Sequence, residues 1–334
     1  MRVLAALGVT ALVLVVLLSA TDLAIGAWFP RFERLSSNFS PAYLDREVRT
    51  IARESPAVVF IGDSVLWGYK VAPSESAVSL LRAGGLPSSN LSFEGGSPAN
   101  MYALLRLMLA DGARPGTVVF NVNQKEFSAA DSAYQTLHPA LDTLAGPLLA
   151  PSDRAMLSRA GPPASFERNL DGAIAAHWKL YALRSDLRQA LFGQVDAAHA
   201  ADDLVQTLSG AKARGDAAHR PTAERFAGTY DMSPLDEQNV SLDFLRKSAE
   251  LMRRERIRSI AILTPTNHAL LHEYIDNPQY QANLARARNV LERAGVRVID
   301  LDRVFEAAEF IDNDHLTAAG NRHLAALLRS ALAR

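Results

Sequence analysis

Two short segments far apart in the chain carry the residue types of nucleophilic catalysis. The first, VVFIGDSVLWG (58–68), runs from apolar, mostly β-branched residues into Gly62-Asp63-Ser64. A serine hydroxyl at such a junction becomes a nucleophile only when a base takes its proton. The second, FIDNDHLTAAG (310–320), holds Asp312 and His315 three residues apart. At that spacing a carboxylate can accept a hydrogen bond from one imidazole nitrogen and leave the other facing outward. That contact fixes the tautomer and stabilises an imidazolium formed when Ser64 is deprotonated. Acyl transfer also needs donors for a developing oxyanion. NLSFEGG (90–96) ends in Gly95 and Gly96, where a backbone N–H can approach a substrate closely, and VVFNVNQKEF (118–127) offers the side-chain amides of Asn121 and Asn123.

Each feature taken singly has a plainer explanation. Gly-Asp-Ser is common in turns, and Asp63 reads as a brace for the turn rather than a reactant. Acids before a helix start are favoured by the helix dipole, which is the preferred reading of Asp314. Asp300, Asp302, Asp312, Asp314 and His315 together suggest a metal, but one histidine with scattered acids is not a ligand signature, so no metal and no cofactor is expected. His268, in LTPTNHALLHEY, either touches substrate or sits on a surface loop. The other histidines have no acid in a comparable motif and read as structural or solvated.

The elements that must hold these residues follow from the hydropathy pattern. Short continuous apolar runs at 57–61, 117–120, 259–263 and 296–300, with a weaker one at 90–93, mark strands buried on both faces. Helical patterns lie between them, over 99–110, from Ser241 to about residue 256, from Asn277-Pro278 to near Gly295, and after Thr317. Strands alternating with helices of this length predict an α/β fold with a parallel sheet covered on both sides. Chemistry in such sheets lies beyond the carboxyl ends of the strands. That rule brings Ser64, Asn123 and the loop after Asp300 to one edge. Residues 128–240 break the alternation, are Ala-rich with a helical stretch at 175–192, and read as a helical insertion covering or framing the site.

With 334 residues, 49% of them hydrophobic, and a net charge of -1, the chain can build a large core and presents no basic excess for nucleic acid. It has no cysteine, which excludes disulfides and thiolate metal sites. Residues 3–20 carry no charge and are long enough to cross a bilayer as a helix, with Trp28 and Phe29 suited to the far interface. A cleaved signal peptide is the rival, with an unusually long apolar core. The anchor is favoured, and a short tail before a long folded domain favours export of that domain to the periplasmic or extracytoplasmic side. The expected organisation is an anchor or signal over 1–29, a connector over 30–55 and a catalytic domain over 56–334.

Gly62-Asp63-Ser64 followed by Gly68 resembles the first conserved block of the SGNH, or GDSL, hydrolase superfamily. Asn90 to Gly95 resembles the second, Asn123 takes the asparagine of the third, and Asp312-Asn-Asp-His315 matches the D-x-x-H of the last, in family order. The resemblance implies a flavodoxin-like sheet and hydrolysis or transfer of ester-linked acyl groups. It implies Ser64 as nucleophile, His315 as base, Asp312 as its orienter, and Ser64, Gly95 and Asn123 as oxyanion donors. The third block usually has glycine where Asn121 stands, so Asn121 and Asn123 can exchange roles. Gly95 is preferred to Gly96 by its spacing from Asn90. An anchored domain with a helical cover also loosely resembles envelope-polysaccharide modifying proteins such as the D-alanyl-lipoteichoic acid biosynthesis family. The implied substrate is an acylated carbohydrate or other ester, the implied partners are the membrane and envelope-biosynthesis proteins. The alternative is a non-catalytic glycan-binding or scaffold subunit on the same fold.

Overall fold

The structure, a computed structural model, describes residues 13–24, 41–128, 132–160 and 233–333, together with residues 10, 174, 178, 181, 223–226, 229 and 230. Five strands, β1 (Val58–Ile61), β2 (Ser88–Asn90), β3 (Thr117–Val122), β4 (Arg258–Leu263) and β5 (Arg297–Asp300), pair in parallel in the order β2-β1-β3-β4-β5. This is the flavodoxin-like doubly wound order. Alternate side chains of each strand enter different cores, as the pleat requires. Val59, Ile61, Val118, Phe120 and Leu263 face one cluster, whereas Val58, Phe60, Val119, Ile260 and Ile262 face the other.

Helices α1 (Pro41–Glu54), α2 (Ser64–Trp67), α3 (Ala77–Ala83), α4 (Pro98–Ala110), α5 (Pro139–Ala145), α6 (Pro151–Ala160), α7 (Val240–Arg254), α8 (His268–Ile275), α9 (Pro278–Arg293) and α10 (Ala318–Leu332) surround the sheet. α3 and α10 cover one face through Leu81, Leu324 and Leu328, and α1, α4, α7 and α9 cover the other. The chain steps outward from β1 to β2 and then reverses to β3. Because parallel crossovers are right-handed, that reversal puts α3 and α4 on opposite faces and opens a crevice between the ends of β1 and β3. The candidate residues gather at this crevice.

Residues 41–54, expected to belong to a polar connector over 30–55, form the helix α1. Leu44, Val48 and Ile51 recur at helical spacing and are buried in the core. Pro41 opens the helix, where its missing N–H costs nothing, instead of breaking the chain. Within the expected insertion, α5 and α6 pack on the core through Leu141, Ala145 and Leu157, while almost all of the expected helical stretch at 175–192 lies outside the described residues. Among the described residues no helix is long and apolar enough to cross a membrane. Residues 13–24 are helical, and Val13, Leu14, Val15, Val16, Leu17 and Leu23 are each more than half exposed. Apart from residue 10, the rest of the expected span lies outside the described residues.

Candidate active site

Ser64 is the first residue of α2, directly after β1. Asp63 caps the helix, its side chain accepting from the Val65 N–H at 2.8 Å. Gly68 ends it at φ 84°, a left-handed conformation natural to glycine, and returns the chain toward the site. The Asp63 N–H donates to Asn121 Oδ1 at 3.0 Å, and Asn121 Nδ2 donates back to Asp63 Oδ1 at 2.7 Å. Asn121 Nδ2 also donates to Thr264 Oγ1 at 3.0 Å, so one asparagine joins the carboxyl ends of β1, β3 and β4. On the other side the loop after β2 passes close by: a Cβ on Gly96 would lie 2.3 Å from the Gly62 carbonyl oxygen.

His315 reaches this turn from the loop before α10. Its Nε2 is 2.8 Å from Ser64 Oγ, and its Nδ1 is 2.8 and 2.9 Å from the two oxygens of Asp312. The His315 N–H also donates to Asp312 Oδ1, at 3.0 Å. The loop is closed by an Ile311 N–H bond to the His315 carbonyl (2.8 Å) and clamped by Asn267, whose Nδ2 donates to the Asp312 carbonyl at 3.0 Å. Tyr69 lays its ring against the imidazole with centroids 4.6 Å apart, and Lys70 Nζ lies 3.3 Å from Asp312 Oδ2. Burial alone would raise the Asp312 carboxyl. The hydrogen bonds from His315 and the nearby Lys70 ammonium outweigh it and hold the group well below the ordinary carboxylate range.

Three expectations are corrected by the packing. Asn123 does not offer a free amide: its Nδ2 donates to Asp63 Oδ2 at 3.0 Å and to Asp314 Oδ2 at 2.6 Å, which uses both hydrogens. Asn121 is engaged in the same way, so exchanging the two asparagines supplies no oxyanion donor either. The Ser64 N–H, at the first position of a helix, has no intrahelical acceptor. Gly95 sits exposed in its turn at φ 76°, and neither N–H has an acceptor among the described residues. His268 does not face the nucleophile; its Nε2 is 2.9 Å from Asp302 Oδ2, and Tyr280 Oη donates to the other oxygen of that carboxylate at 2.6 Å. Asp314 is no solvated helix-start acid. It is fully buried, with Oδ2 2.5 Å from Lys125 Nζ. Burial would raise its carboxyl, and the Lys125 ammonium holds it down instead.

Asp312, Asp314 and His315 have ligand atoms within 4.8 Å of one another. Those atoms already serve Lys70, Lys125, Asn123 and each other. Each of the three residues is thus already bonded to an ammonium, an amide or a neighbour within the group, and one oxygen, Asp314 Oδ1, has no hydrogen-bond partner among the described residues. Sequence reasoning passed over Tyr69, Lys70, Asn267 and Lys125. One signal was present: a lysine three residues beyond a fully buried strand, if itself buried, must find a partner.

No family model matches the sequence, and no curated protein does either. Among solved structures the chain is similar to a GDSL-like lipase from Bacteroides thetaiotaomicron VPI-5482, with 11% identity and a TM-score of 0.42, over 87% of this chain and 98% of that one. It is also similar to an acetylxylan esterase from Geobacillus stearothermophilus, with 12% identity and a TM-score of 0.38, over 83% of this chain and 94% of that one. At such TM-scores the likeness is loose, and what the site can do rests on its own atoms.

Proposed function

We propose that the protein is a serine ester hydrolase or O-acyltransferase working through an acyl-enzyme on Ser64. The observation that carries this is the unbroken chain from Ser64 Oγ through both nitrogens of His315 to Asp312. Ser64 Oγ attacks the ester carbonyl while its proton passes to Nε2, and Asp312 stabilises the imidazolium. The oxyanion accepts from the Ser64 N–H and, in this scheme, from the Gly95 N–H. Collapse expels the alcohol, which takes the proton from Nε2 and leaves the acyl group on Oγ. A water or a sugar hydroxyl then gives its proton to Nε2 and attacks the acyl carbon. Ser64 leaves with that proton, releasing an acid in one case and a new ester in the other.

The exposed apolar helix at 13–24 supports a membrane-anchored protein. With it we place the catalytic domain on the extracytoplasmic side, acting on acyl or acetyl groups of envelope polysaccharide, with envelope-biosynthesis proteins as partners. The test uses the full chain in detergent as wild type, Ser64→Ala and His315→Ala, following acetate release from an activated aryl acetate. Both substitutions are expected to lower kcat by on the order of 10⁴-fold or more. Equal rates in all three proteins would remove Ser64 as the nucleophile. Added acceptor sugars then separate transfer from hydrolysis.

A further inference from the structure

We propose that Asp314, neutralised from behind by Lys125, is a second carboxylate positioned on His315, and that Asn123 brackets it to the nucleophile turn. The inference rests on the serine chemistry proposed above and assigns three residues that this chemistry does not itself require. Asp314 Oδ1 lies 3.4 Å from His315 Nδ1 and has no hydrogen-bond partner among the described residues. The other oxygen, Oδ2, takes Lys125 Nζ at 2.5 Å and Asn123 Nδ2 at 2.6 Å. One oxygen is thus saturated by donors while its twin is left facing the imidazole.

Asn123 closes a ring. It bonds Asp63 at one side and Asp314 at the other; Asp63 is joined by a peptide bond to Ser64, Asp314 by another to His315, and Ser64 and His315 meet directly. The separation of nucleophile and base is therefore set twice, once by their own contact and once through the buried amide. A fully buried ion pair is a poor source of stability, since desolvation of both charges offsets their attraction. Lys125 and Asp314 are both buried, and their orientation puts the negative end of the pair toward the base. Such a dipole favours the imidazolium as it forms, and Lys125 keeps the resting site from accumulating negative charge.

The other groups around His315 are Asp312 on its own loop, Lys70 and Tyr69 from the segment after α2, and Ser64. Asp63 faces it through Asn123, Tyr230 through Asn313 (3.0 Å), and Glu126 lies beyond Asp63. None of these changes in the test, which reads the acid limb of the kcat/KM profile of the full chain. Asp314→Asn removes the negative end, so the limb is expected to move to lower pH by about one unit. Lys125→Met removes the positive end and leaves Asp314 uncompensated, so the limb is expected to move to higher pH by about as much. The double variant Lys125→Met/Asp314→Asn leaves no unpaired charge to bury. It keeps the test open if Lys125→Met does not fold, and its limb is expected between those of the two single variants.

A pair serving only the fold would lower stability and leave the limb where it is in every folded variant. That result, or shifts of the two single variants in the same direction, overturns the inference. Ser64→Ala assayed alongside separates the two levels: if it stays active, the serine chemistry fails, whereas an inactive Ser64→Ala with unmoved limbs fails only the role of Asp314.

Discussion

Glu126 follows Lys125 in the 3₁₀ turn after β3 and is fully buried, and neither carboxylate oxygen has a hydrogen-bond partner among the described residues. Burial first, and then the negative charge of Asp63, push its carboxyl well above the ordinary value of 4.5. The folded chain therefore keeps a proton here that the unfolded chain releases above that value. Where the native state binds more protons, stability falls as pH rises, by about 1.4 kcal/mol per pH unit for a single group, until the pH reaches the folded-state value. Glu126→Gln keeps the size of the side chain and removes the titration. The variant is thus expected to gain on the wild type as the pH rises above 4.5, by at most about 1.4 kcal/mol per pH unit and only until the pH reaches the folded-state value. Urea unfolding of both proteins at pH 5, 6 and 7 measures this. The acid groups whose stabilities change in the opposite sense, Asp312 and Asp314, are common to both and cancel in the difference. A stability difference that is flat with pH, or that shrinks as pH rises, would refute a neutral buried Glu126.

Gly96→Ala puts a methyl group 2.3 Å from the Gly62 carbonyl, so the end of β1 or the β2 loop must shift. The expected cost is about 1–3 kcal/mol in a thermal melt, with ester turnover falling more than about tenfold because the shift displaces Ser64. Asp312→Asn keeps the shape but not the acceptor pair, and kcat on the aryl acetate is expected to drop by on the order of 10⁴-fold. Because the Asp312 carboxyl is held below its ordinary value of 3.8, it contributes stability that is fully present above that pH. That contribution is lost as the pH falls below it toward the folded-state value. Acid unfolding followed by circular dichroism should accordingly be shallower in the Asn variant than in the wild type.

The parts of the fold written in local pattern were legible and the parts set by pairing were not. β1, β3 and β4 are continuous apolar runs, and Asn277-Pro278 and Thr317 cap their helices as their chemistry requires. β2 is only Ser88–Asn90, polar in sequence, and was expected slightly later, over 90–93. It is a strand because Val58 to Phe60 hold it in register. The apolar face of α1 is present in the sequence at 44, 48 and 51, within the segment expected to be a connector. The two motifs, together with the family resemblance, were enough to single out Ser64, Asp312 and His315, which the fold brings into contact.

The direction of Asn123 was beyond any reading of spacing, because it depends on which charges meet it in space. Two carboxylates converge there, from Asp63 and Asp314, and each is a better acceptor for an amide hydrogen than a neutral group. The same convergence divides Lys125 from its neighbour Glu126. Both are buried, yet the Lys125 ammonium is favoured because Asp314 lies 2.5 Å away, whereas burial and then the charge of Asp63 push the Glu126 carboxyl well above its ordinary value. The carboxylates of Asp63, Asp312 and Asp314 then outnumber the ammonium groups of Lys70 and Lys125 by one. An imidazolium at His315 supplies the missing positive charge. The proton comes from Ser64, so the net charge of the site does not change in this step. The imidazolium offsets the carboxylates behind it while the negative charge passes to the oxyanion, which the N–H donors on the other side receive.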